Sequence, residues 1–100
     1  MIDNNTSVKQ IFQQSITNNS CSYTTTVNGL YYIYLQKGGG NAAPADVQIL
    51  IAGHAYGRAY ITQPFQLTYT ILCLKSNTKI TFTSKLTDYC SCYVYLIKSM

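Results

Sequence analysis

One hundred residues suffice for one domain with a thin core, because a chain of this size buries only about two thirds of the surface its unfolded form exposes. Hydrophobic residues make up 47% of it, which places it among globular proteins, yet only 10% are charged, against roughly 25% in an average soluble domain. The formal charge of +4 is spread over Lys9, Lys37, Arg58, Lys75, Lys79, Lys85 and Lys98 with no basic run, which argues against a nucleic-acid partner.

Residues 1–20 are rich in Asn and Gln and place Val8, Ile11, Phe12 and Ile16 at spacings of three and four, which predicts a short amphipathic helix or arm with its cap at Asn5, Thr6 or Ser7. A strand over residues 7–13, with Val8, Gln10 and Phe12 on one face, is the alternative. A lone helix this short is marginal in water, so it needs a surface to lie on: the protein's own sheet, an oligomer seam or a larger particle. The segment has neither an apolar central run nor a basic start of the signal-peptide kind, which predicts synthesis and folding in a cytosol. No run in the chain is long enough to span a membrane as a helix.

From Cys21 the hydrophobic period becomes two, and residues 21–98 read as a succession of short strands. CSYTTTV (21–27) and LYYIYLQK (30–37) flank Asn28-Gly29, a strong hairpin signal. Residues 38–45, GGGNAAPA, are a loop; with no Lys-Ser/Thr pair and no helix after it, the glycine run is not a phosphate loop. VQILIA (47–52) and residues 56–62 follow, joined through Gly53-His54-Ala55, and Gly57 predicts a bulge or a close backbone approach.

FQLTYTILCLK (65–75) is the longest clean alternation, with Phe65, Leu67, Tyr69, Ile71 and Cys73 expected on a core face and Gln66, Thr68, Thr70, Leu72 and Leu74 on the other. After the turn at Ser76-Asn77, KITFTSK (79–85) turns Ile80 and Phe82 inward and Thr81 and Thr83 outward. Thr87-Asp88 ends that strand. In residues 89–98, Cys90, Cys92, Val94 and Leu96 share one face and Tyr89, Ser91, Tyr93, Tyr95 and Ile97 the other; both faces are apolar, which predicts a central strand rather than an exposed edge. The sum is all-β: a small antiparallel β-sandwich of about seven or eight strands over residues 21–100, preceded by the arm or helix of residues 1–20.

Gly29-Leu30-Tyr31-Tyr32, the Val47-to-Gly53 run that ends in a glycine turn, residues 67–81 with their lysine-bearing turn, and the closing aliphatic-aromatic strand at 93–97 together resemble the jelly roll of the complement-C1q and tumour-necrosis-factor family. The resemblance covers residues 21–98. It implies a trimer in which aromatic strand faces meet around a three-fold axis, with Tyr32, Tyr34, Tyr93 and Tyr95 at the interface, and modules similar to this one cap fibres on bacteriophages and spores. The calcium sites known in parts of that family need clustered carboxylates, and Asp3, Asp46 and Asp88 are too few and too scattered to supply them.

No catalytic set is legible. His54 sits alone in a turn, and three scattered aspartates with no glutamate offer no carboxylate pair. Neither an enzyme nor a cofactor is therefore expected. The four cysteines read as free core thiols, with a disulfide from Cys73 to Cys90 or Cys92 as the alternative. Exposed tyrosines beside turns, Tyr56 and Tyr60 with Arg58, form a candidate ligand or partner surface. The function expected is a non-enzymatic structural or interaction module of a virion, such as a bacteriophage fibre head, decoration or capsid-associated protein, made in the host cytoplasm and partnered by copies of itself and other particle proteins. In that reading Val8, Ile11, Phe12 and Ile16 belong to the attachment segment. A stand-alone carbohydrate-binding module recognising a cell-surface glycan is the alternative.

Overall fold

The computed structural model describes residues 8–16, 20–37, 45–61, 67–84 and 90–100. The predicted helix cap at residues 5–7, the loop at 38–44, Pro64 and Phe65, and the segment 85–89 with Thr87, Asp88 and Tyr89 lie outside them. The described residues form eight strands: β1 (Lys9–Ser15), β2 (Ser20–Thr24), β3 (Gly29–Lys37), β4 (Ala45–Ile51), β5 (His54–Ile61), β6 (Leu67–Leu74), β7 (Lys79–Ser84) and β8 (Cys90–Ser99).

They form two four-stranded antiparallel sheets, β1-β8-β3-β6 and β2-β7-β4-β5. The pairing is nested: β1 lies on β8, β2 on β7, β3 on β6 and β4 on β5. The chain is thus one long antiparallel ribbon, folded at the β4–β5 turn and rolled so that, apart from β4 and β5, successive strands fall in opposite sheets, with β3–β8 and β4–β7 pairing where the rolled ribbon meets itself. That is a jelly roll. At its tip, Ala52 and Gly53 both have positive φ (53° and 84°), the backbone of a two-residue hairpin whose twist matches the flanking strands.

The core lies between the sheets. Tyr31, Ile33 and Leu35 of β3 and Cys90, Cys92 and Val94 of β8 meet Val47 and Ile49 of β4 and Ile80 and Phe82 of β7, with Cys21, Ala59, Ile61 and Ile16 at the margins. Each large apolar side chain in this layer contributes about 1.5–3 kcal/mol relative to exposure. Tyr31 is fully buried and donates its hydroxyl hydrogen to the Val27 carbonyl at 2.7 Å, so no polar atom is stranded. β7 and β8 match their predicted faces, and β8 is central, between β1 and β3.

Four sequence expectations are corrected. The predicted helix is β1, a strand on β8 whose register shifts between Gln10 and Phe12. That bulge sets Ile11 and Phe12 both against the core, so an interrupted strand pattern imitates helical spacing. In β6 the predicted core face points outward, leaving Tyr69, Ile71 and Cys73 exposed, while Leu72 and Leu74 pack against the core. The pairing decides this: Leu72 lies opposite the buried Tyr31, and Thr70 opposite Ile33. β6 is an edge strand.

Asn28-Gly29 is no hairpin, because β2 and β3 lie in different sheets. Asn28 instead accepts the Ser76 N–H on its side-chain oxygen at 2.8 Å, and a Cβ on the buried Gly29 would meet the Lys98 carbonyl oxygen at 2.7 Å and a Leu96 methyl at 2.8 Å. The dipeptide serves a close backbone approach. Finally, Cys73 faces outward on β6 while Cys90 and Cys92 face inward on β8, with β3 between, so the sheet itself separates the thiols of that candidate disulfide. Cys21 and Cys92 share a hydrogen bond across the core, which pushes Cys21 down from its ordinary pKa and, with burial, pushes Cys92 up.

Beside the β2–β3 crossover, buried Thr25 stitches that crossover to the β6–β7 turn, the two connections that pass between the sheets at this end. Its hydroxyl donates to the Lys75 carbonyl (2.7 Å) and accepts the Thr78 N–H (2.8 Å), while its own N–H and carbonyl pair with the Thr78 carbonyl (2.9 Å) and Asn77 N–H (2.8 Å).

Candidate functional site

The sandwich has two outer faces, and their chemistry differs. On β1-β8-β3-β6, the alternation that sends Tyr31, Ile33 and Leu35 inward sends Tyr32, Tyr34 and Gln36 outward, and the pairing brings Tyr95, Tyr93, Tyr69 and Ile71 beside them. The result is one aromatic sheet of side chains. Tyr34 and Tyr93 stack with centroids 4.3 Å apart and planes within 3°; Tyr32 lies 5.5 Å from Tyr34, 5.4 Å from Tyr69 and 6.1 Å from Tyr95. The four tyrosines predicted as an interface, Tyr32, Tyr34, Tyr93 and Tyr95, are therefore brought together, half-buried by one another.

Tyr95 donates its hydroxyl hydrogen to the Gln10 side-chain oxygen at 2.8 Å. The Tyr34 hydroxyl is pushed up to about 12, first by burial, then by its hydrogen bond to Tyr95 and the neighbouring tyrosine hydroxyls. A groove of about 570 Å³ runs over this face, lined by Val8, Tyr32, Tyr34, Gln36, Tyr95 and Ile97. Sequence reasoning missed Tyr69, 65% exposed, because it assigned that alternation to the core. Nothing local distinguishes the two faces of β6; only its register on β3 does. Of the predicted attachment residues, Val8 is exposed at the groove, Ile11 and Phe12 are half-buried, and Ile16 is buried with its N–H on the Cys90 carbonyl at 2.9 Å.

The other outer face, on β2-β7-β4-β5, carries Ser20, Ser22, Thr24, Lys79, Thr81, Thr83, Asp46, Gln48 and Arg58, with the half-buried Leu50 beside Thr81. Arg58 grips Asp46 through two hydrogen bonds, Nε to Oδ1 at 2.6 Å and Nη2 to Oδ2 at 2.5 Å, and the pair lines a shallow cavity of about 110 Å³ with Gln48 and Thr83. Tyr60, 60% exposed, lies opposite Asp46. Tyr56 parts from this group. It is the extra residue of a bulge in β5, and its hydroxyl sits 3.1 Å from the Thr70 hydroxyl of β6, in the other sheet.

His54 is exposed at the start of β5, and no group of three or more His, Cys, Asp or Glu that could hold a metal occurs among the described residues. Among the described residues no helix is long and apolar enough to cross a membrane.

No protein-family model and no curated protein matches this sequence. Solved structures do. Rabbit GITRL, of the tumour-necrosis-factor family, superposes with a TM-score of 0.58 at 18% identity over 85% of this chain and 75% of that one. A family 35 carbohydrate-binding module from an environmental isolate gives 0.58 at 12% identity over 88% of this chain and 87% of that one. The CBM36-1 domain of a multidomain xylanase from the hindgut metagenome of Trinervitermes trinervoides gives 0.53 at 16% identity over 90% and 94%. At such identities the likeness is one of fold: this chain is an all-β jelly roll resembling the C1q and tumour-necrosis-factor type, an architecture that carbohydrate-binding modules share.

Proposed function

We propose that this chain is a non-enzymatic recognition and assembly module whose copies associate through the tyrosine face of β1-β8-β3-β6 into a homotrimer. One observation carries the reading: the outward positions of this sheet hold Tyr32, Tyr34, Tyr69, Tyr93, Tyr95, Ile71 and Ile97 among glutamines and serines, whereas the opposite face is hydroxylic and charged. A contiguous apolar patch on one side of a small domain is the mark of a protein-binding surface, and Tyr is among the residues that anchor such surfaces. The trimer is the state the family resemblance implies. A place on a virion, as a fibre head, decoration or capsid-associated protein, draws support from the charge-poor composition and would be checked by mass spectrometry of purified particles. Light scattering on the purified chain tests the assembly: a mass of three chains is expected, and a monomer across the micromolar range would overturn it.

A second reading, a stand-alone glycan-binding module, is favoured by the exposed rings of Tyr56, Tyr60 and Tyr69, since such rings offer stacking area while keeping a hydroxyl for hydrogen bonding. The fold likeness to carbohydrate-binding modules is consistent with it. Binding on a glycan array would support it, and a blank array would end it.

A further inference from the structure

At one margin of the sandwich the edge strands β5 and β6 face each other across the gap between the sheets. The core thins there for a reason written in the side chains. Away from the large inward side chains Ile61 of β5 and Leu72 and Leu74 of β6, the inward positions are short, Gly57 and Ala59 on β5 and Thr68 and Thr70 on β6, so neither edge fills the space between them there. A cleft of about 150 Å³ results, which reaches Ile33 and Ile49 of the core. Gly57 has no positive φ, and a Cβ built on it meets nothing within 4 Å, so it faces open space rather than answering a backbone need.

The lining is amphipathic. Two isoleucines and Ala59 make an apolar floor, while Thr68, Thr70 and the Tyr56 hydroxyl supply neutral donors and acceptors from both sheets. Arg58 reaches the rim, but its guanidinium is engaged by Asp46, so the site has no strong affinity for an anion. Tyr69, at the same mouth, presents an exposed ring. An apolar floor ringed by hydroxyls suits a molecule with one C–H-rich face and several hydroxyls. The volume, well below the roughly 300–1,000 Å³ of pockets for drug-sized ligands, admits a single ring.

We propose that the β5–β6 cleft seats one neutral pyranose unit of a glycan, with Tyr69 stacking against the adjoining unit. The proposal rests on the glycan reading above and gives that reading a site. It differs from the surface marked out by the sequence, since Tyr56 and Tyr69 belong to the cleft and Tyr60 lies on the outer face.

The test is an array of neutral oligosaccharides probed with the whole chain, followed by titration of the strongest binder. Gly57→Leu, which fills the cleft, and Tyr69→Ala should each weaken binding at least tenfold, while Ser22→Ala on the far outer face leaves it unchanged. A second measurement needs no substitution: in the titration of the unaltered chain, the methyl signals of Ile33 and Ile49 should shift. Array binding that persists in folded Gly57→Leu, or titration shifts that avoid both isoleucines, overturns the cleft as the site while leaving a glycan binder. A blank array for the unaltered chain removes the glycan reading and the site together.

Discussion

The two outer faces of this sandwich are built from the same period-two alternation, yet one collects tyrosines and the other threonines, serines and an ion pair. On the first, side chains already bury one another: Tyr34 and Tyr93 stack, and Tyr95 is held by Gln10. On the second most stand in solvent, and Arg58, 64% exposed, holds the largely covered Asp46 carboxylate at the surface. Exposed ion pairs contribute about 0–1 kcal/mol and weaken with salt, whereas an aromatic pair contributes about 0.5–1.5 kcal/mol beyond its area and is indifferent to salt. The difference teaches where a partner can act. A surface whose groups are already solvated gains little by being covered; a tyrosine layer with a groove across it gains a great deal.

The largest effect expected from breaking this contrast is on assembly. Tyr95→Glu or Tyr34→Glu places a charge in the aromatic layer and should convert the proposed trimer to monomer by light scattering, while Arg58→Ala on the opposite face leaves the mass unchanged; equal behaviour of the two substitutions would count against the tyrosine interface. Next in size is the stitch that ties together the two connections between the sheets. Thr25→Val removes the acceptor of the Thr78 N–H and the donor to Lys75 in a buried setting, and should lower stability by about 1–3 kcal/mol in urea melts, with Ser22→Ala as the silent control.

A smaller and sharper comparison sets the faces against each other directly. Double-mutant cycles should give about 1 kcal/mol for Tyr34 with Tyr93 and about half that or less for Arg58 with Asp46, and only the second should shrink in 1 M salt. The tyrosine layer also has an alkaline signature. Tyr34 ionises near pH 10 when unfolded and at about 12 when folded, so the unfolded chain holds fewer protons in that window. Stability contributed by this group is complete below pH 10 and falls as pH rises from 10 to 12, and Tyr34→Phe should flatten the fall. The smallest effect lies at the tip of the ribbon, away from both layers. Ala52→Asn, which relieves an alanine at φ 53°, should raise stability by about 0.5–1 kcal/mol without altering assembly.

The strands were legible wherever one face is apolar and the other polar. In β7, Ile80 and Phe82 could only turn inward and Thr81 and Thr83 only outward, and the structure agrees. β8 was legible as a central strand because two apolar faces need cover on both sides. β6 was misread because its more apolar face, with Tyr69, Ile71 and Cys73, is the outward one, while the inward face mixes Thr68 and Thr70 with Leu72 and Leu74, so period two identifies the faces without saying which is inside. The helical reading of residues 8–16 failed because one bulge shifts a strand's pattern by one residue, and the tyrosine cluster was found without Tyr69 for the same lack of register.

What the sequence determined by itself is the strand succession from β2 to β8, the charge-poor surface and the concentration of tyrosine, since each follows from local periodicity and composition. What only the tertiary structure decided is everything that depends on pairing. Whether Asn28-Gly29 closes a hairpin or crosses between sheets, which side of β6 meets the core, and that Tyr56 leaves Arg58 for Thr70 are settled by which strand lies alongside which. A strand specifies two faces; its neighbour specifies which of them is buried.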